Sequence, residues 1–84
     1  MKGIKEVNQI QKIVDVLKER LDRLQEKIDQ RDEVFSDRSD NWQESDKGQE
    51  YEAKTEELQD LHLEIEDKLE TIESALSELL EITE

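Results

Sequence analysis

His62 is the only histidine in this 84-residue chain. It is the one side chain whose charge changes near neutral pH, so proton transfer and metal ligation are the first chemistries to test against it. A di-iron helical bundle would need Glu three residues before the histidine. Gln59 stands there instead, and His62 reads as a residue of a helix seam or its edge. The pairs Glu64/Asp67 and Glu70/Glu73 have the i, i+3 spacing used by all-α magnesium-dependent nucleotide pyrophosphatases. They fall mostly at outward helix positions, however, while the inward positions are apolar.

Other chemistries fare no better. Aligning Gly48 as the invariant glycine of a calcium loop puts Gln43 first, Lys47 fifth and Lys54 last, none of them the ligand required. There is no cysteine, and no glycine-rich phosphate cradle or paired nucleophile and base. The reading is a non-enzymatic chain with no catalytic residue, cofactor or metal.

The elements that must carry any function are two heptad stripes. Val7, Ile10, Val14, Leu17, Leu21, Leu24, Ile28, Arg31 and Phe35 alternate by three and four, with position a at 7, 14, 21, 28 and 35. A second series holds Tyr51, Thr55, Leu58, His62, Ile65, Leu69, Ile72, Leu76 and Leu79, with d at 51, 58, 65, 72 and 79. Charged residues are 44% and hydrophobic ones 32%, a balance that suits either disorder or a coiled coil. The periodicity decides for helix, and the absence of proline agrees.

The expected fold is therefore all-α: an antiparallel, coiled-coil-like helical hairpin forming one domain over residues 1–84. Helix 1 is placed at about 4–36, a turn at about 37–40, and helix 2 at about 40–82. Ser36, Ser39, Asp40 and Asn41 are N-cap candidates. Asp40/Gln43 and Asn41/Glu44 resemble a loose capping box. A turn centred at Ser39–Asp40 sets Val7 against Ile72, Val14 against Ile65 and Leu21 against Leu58. It also sets Arg31 against Gly48, whose missing side chain would make room for the arginine stem; the alternative is that Gly48 ends a short first segment of helix 2.

One hairpin of this size buries too little apolar area to offset its ordering entropy. The stripe widens on one edge, where the g positions include Ile13, Val34, Leu61, Ala75 and Ile82. Leu76, Leu79, Leu80 and Ile82 are expected to extend past the start of helix 1 without cover from their own chain. These features predict a homodimer forming a four-helix bundle, with Ile13, Leu61, Ala75, Leu76, Leu79, Leu80 and Ile82 at the interface; the alternative is a hetero-complex.

Charge bounds the partners. The net charge is −13, and all of the excess lies in residues 40–84. Direct nucleic-acid binding is disfavoured because it needs cations to replace counterions. A basic protein is easier to accommodate. Glu56, Glu57, Asp60, Glu64 and Asp67 form an acidic face that would solubilise the chain or mimic a phosphate backbone in a basic groove. No window reaches membrane-spanning length, and MKGIKEVNQI lacks a signal-like apolar run, so a cytoplasmic protein is expected.

The stretch SDRSDNWQESDKGQEYE holds the only tryptophan and the only tyrosine. Phe35, Arg38, Trp42 and Tyr51 are expected to gather there, capping the bundle end or forming a docking tip. Within it, RSDNWQESDKGQEYEAKT resembles a motif in small uncharacterised acidic helical proteins of phages and other mobile elements. That resemblance carries no known activity; it implies a bacterial cytoplasmic setting and a phage accessory role.

Overall fold

Between Ile4 and Asp37 the sequence offers no proline, no glycine and an unbroken heptad stripe. In the computed structural model, which describes residues 3–83, this stretch is one helix, α1 (Ile4–Asp37). Gly3 caps it with φ of 92°, a left-handed conformation that glycine adopts without a Cβ penalty. A five-residue helix α2 (Asp40–Glu44) and a long helix α3 (Asp46–Thr83) follow. Among the described residues there is no strand, and no helix is long and apolar enough to cross a membrane.

The connection differs from the expected single turn because two serines, Ser39 and Ser45, bracket an extra short helix. Ser39 has extended backbone, and its hydroxyl accepts from the Trp42 amide at 3.3 Å, so it is the N-cap of α2. The anticipated box is absent, since Trp42 occupies the third helical position. Gln43 works backwards instead, donating to the carbonyls of Phe35 (2.9 Å) and Arg38 (3.0 Å) and satisfying the orphan acceptors at the end of α1. Ser45 is also extended, with ψ of 164°, and interrupts what was expected to be one helix over 40–82. Its hydroxyl donates to the Trp42 carbonyl and accepts from the Gly48 amide, closing α2 and opening α3 together.

The molecule is a rod, 63 × 15 × 12 Å. Contacts between α1 and α3 pair residues in opposite chain order, from Arg31 with Thr55 near α2 to Lys18 with Glu73 further along. Val7, Val14, Leu69 and Leu76 form the buried cluster, with Leu21 and Leu80 packed against it. His62 meets the carbonyl of Leu21, and Ile28 and Thr55 are buried at the next level. Stepping by heptads gives layers Val7–Leu76, Val14–Leu69, Leu21–His62, Ile28–Thr55 and Phe35–Gly48.

This register lies one helical turn beyond the expected one. The sequence reading set a against d; the structure sets a against a. The cause is α2, which lengthens the connection and moves its centre towards Trp42. Two expectations change with it. Leu76 is not left uncovered: α1 buries it to 3% exposure, and Leu80 is half-buried on the same cluster. Arg31 does not face Gly48. Its Nε donates to the Thr55 hydroxyl at 2.9 Å and its Nη2 to the Tyr51 carbonyl at 3.1 Å. Gly48 still has a packing reason, because a Cβ there would run into the Trp42 carbonyl oxygen and lie 2.8 Å from that of Gln43.

Candidate functional site

Heptad columns sort the surface. The a positions fill the seam between α1 and α3, and the e positions close one edge of it. There the Gln25 and Gln59 amides exchange hydrogen bonds at 3.3 Å, and Lys18 pairs with Glu73 at 3.2 Å. The d and g positions of both helices lie on the opposite edge, where Leu24, Arg31, Tyr51 and Leu58 are partly buried and the other described residues are exposed. Along it Ile10, Ile13, Leu17, Leu61, Ile65 and Ile72 are each between 42% and 61% exposed. Ala75, Leu79 and Ile82 continue the strip to the far end, with the Ile82 side chain 76% exposed. A ridge of this length is unusual on a chain that remains alone in water, since scattered exposed apolar residues are normal but contiguous ones are not.

The charges on this face are equally selective. From Val7 through α1, and throughout α3, no d or g position is acidic, although the chain carries 25 acids against 12 Lys and Arg. The charged residues there are Arg20, Lys27, Arg31, Lys47, Lys54 and Lys68. The acids lie elsewhere. Glu56, Glu57, Asp60, Glu64 and Asp67 are all exposed on the outward columns of α3. Lys68 donates to Glu64 at 2.7 Å, and that hydrogen bond, with the ammonium charge second, holds the Glu64 carboxyl below its ordinary value.

The corner gathers Phe35, Arg38, Trp42 and Tyr51 into a stack. Trp42 meets Phe35 edge-on at 6.0 Å between ring centres and Tyr51 at 5.8 Å. The Arg38 guanidinium sits 4.8 Å from the Trp42 ring, and that of Arg31 sits 4.0 Å from the Tyr51 ring. Each ring is half-buried against its neighbour, so most of the tip's aromatic area is engaged within the chain.

His62 is 6% exposed. Nε2 lies 3.0 Å from the Leu21 carbonyl; because a carbonyl only accepts, this nitrogen carries the proton. Nδ1 has no hydrogen-bond partner, and the nearest carboxylate oxygen, on Glu66, is 3.6 Å away. Among the described residues no three His, Cys, Asp or Glu side chains are grouped closely enough to hold a metal ion, and this includes the Glu64/Asp67 and Glu70/Glu73 pairs.

Sequence reasoning missed the clamp made by Arg31, Thr55 and Tyr51. Its one signal was a lone arginine in an otherwise apolar stripe. It also placed the widened stripe on g without seeing that d joins it, because that follows only from a seam centred on a. No protein-family model matches the chain, and neither a curated protein nor a solved structure shows significant similarity to it.

Proposed function

We propose that this chain is a non-enzymatic interaction module whose antiparallel hairpin dimerises through its d/g face, completing a four-helix bundle. The observation that carries this reading is the apolar ridge from Ile10 and Ile13 to Ile72, free of acids in a chain of net charge −13. Covering such a ridge removes apolar area from water at about 25 cal/mol per Å², which supplies what a lone hairpin of this size lacks. A second copy offers the same ridge, and a two-fold interface is self-complementary by construction. An anionic membrane is a poorer occupant because the outward carboxylates would be repelled by it.

Sedimentation equilibrium at micromolar concentration tests the proposal. A dimer mass is expected, and Ile13→Lys with Ile65→Lys should yield a helical monomer. A monomeric, fully helical native chain at about 100 μM would overturn it.

A second reading rests on the exposed row Glu56, Glu57, Asp60, Glu64 and Asp67. Carboxylates spread over three turns of α3 would occupy a basic groove of another protein, as a nucleic-acid mimic does. Binding of that kind would weaken steeply with salt and on changing these acids to Gln or Asn. It is compatible with the dimer, since most of this row faces away from the d/g edge.

A further inference from the structure

Charge on the rim of the d/g face determines how two copies meet. This inference rests on the dimer proposed above. Next to g, the outermost column of that edge is c. On α1 the g and c columns from Val7 to Val34 hold Arg20, Arg23 and Lys27 and no acid. On α3 the c column holds Glu50, Glu57, Glu64 and Glu78, broken only by Thr71. Of these, Glu50 and Glu64 already pair with Lys54 and Lys68 on their own helix.

Two closed arrangements of a hairpin dimer are available. If the two-fold axis runs across the rod, the tips lie at opposite ends and α1 flanks the partner's α1. Arg20, Arg23 and Lys27 of both copies then line one rim. If the axis runs along the rod, the tips lie together, α1 flanks the partner's α3, and the two α1 helices are diagonal. In that case symmetry forbids any axial slide, so the level of each contact is fixed by the register within one chain. Arg20 is level with the partner's Glu64, and Lys27 with the partner's Glu57. Val16, an exposed c residue, is level with the partner's Lys68, whose methylene stem can cover it.

We propose that the dimer takes this second form, with its axis along the rod and both Trp42 corners at one end. Like-charge juxtaposition at a rim opposes the wrong register more strongly than matched pairs favour the right one, so the basic edge of α1 acts as the selector.

The chain has no cysteine, so a single Ser36→Cys at the exposed end of α1 takes one nitroxide label per copy. Helix axes in a bundle lie 8–10 Å apart, which puts the two labels within about 40 Å when the tips are together. Tips at opposite ends would separate them by roughly 50 Å, about the length of α1. A dimer mass with the short distance supports the arrangement. A dimer mass with the long distance overturns it and leaves dimerisation intact, whereas a monomer mass overturns both.

Charge reversal provides the second measurement. Lys27→Glu and Glu57→Lys should each weaken the dimer by about fivefold, because two symmetric contacts are lost. Combined, they should restore affinity to within about twofold. Failure of the double variant to recover would overturn the proposal.

Discussion

The imidazole of His62 donates across the seam to the main-chain oxygen of Leu21, 3.0 Å away, in a layer otherwise built from apolar side chains. The bond satisfies one ring nitrogen, while Nδ1 stays buried without a hydrogen-bond partner. Burying such a group costs about 1–3 kcal/mol. His62→Leu should therefore raise the thermal midpoint by several degrees, equivalent to about 1 kcal/mol in a domain of this size. His62→Ala should lower it by leaving a cavity. If thermal unfolding shows His62→Leu to be the less stable chain, the cross-seam bond contributes more than its unpartnered nitrogen costs.

Leu76 and Ile72 lie one turn apart in adjacent columns of α3, one in the seam and one at its edge, so they should respond differently. Leu76 is buried against α1, and truncation to Ala should cost about 2–4 kcal/mol of unfolding free energy at any protein concentration. Ile72 is 44% exposed on the d/g ridge. If the chain dimerises as proposed, its truncation should weaken the dimer with less effect on the fold. Urea melts at two concentrations separate the effects: the Leu76→Ala deficit should stay constant, and the Ile72→Ala deficit should vary.

Gly48→Ala is normally a favourable change inside a helix, by up to about 1 kcal/mol. Here the added methyl meets main-chain oxygens of α2, which cannot rotate away. The expected result is a loss of about 1–3 kcal/mol, as for overpacked cores. Trp42 emission should shift to the red as α2 is displaced, and an unchanged spectrum with raised stability would contradict the close approach.

The Glu64–Lys68 pair gives a pH signature of known sign. A carboxyl held below its ordinary value contributes fully above that ordinary value, and the contribution is lost as pH falls through the lowered one. The native chain should thus melt slightly above Glu64→Gln at pH 7, and the two should converge on acidification. Both side chains are exposed, so the gap should also close in molar salt.

How much of this was legible beforehand depended on whether a feature was periodic or local. Val7, Val14, Leu69 and the other stripe residues announce helices through spacing alone, and those helices are present. The register was not legible, because it depends on Ser45, one ordinary polar residue in a polar stretch. Its extended backbone splits off α2 and moves every layer by one turn. That shift decides the fate of Leu76, read as exposed and found buried, and of Arg31, which clamps Thr55 instead of facing Gly48. The candidate surface was half legible: Ile13 and Leu61 were visible as a widened stripe, whereas Ile10, Leu17 and Ile65 join them only once the seam is known to centre on a.

The layered seam also bears on the order in which the chain assembles. Partners beside the α2 corner are near one another in sequence, whereas Val7 and Leu76 sit at almost opposite ends of the chain. Closing a short loop costs less entropy than closing a long one, and each layer formed shortens the loop left for the next. Assembly should therefore start at the tryptophan corner and zip outward, with the Val7–Leu76 layer closing last and opening first.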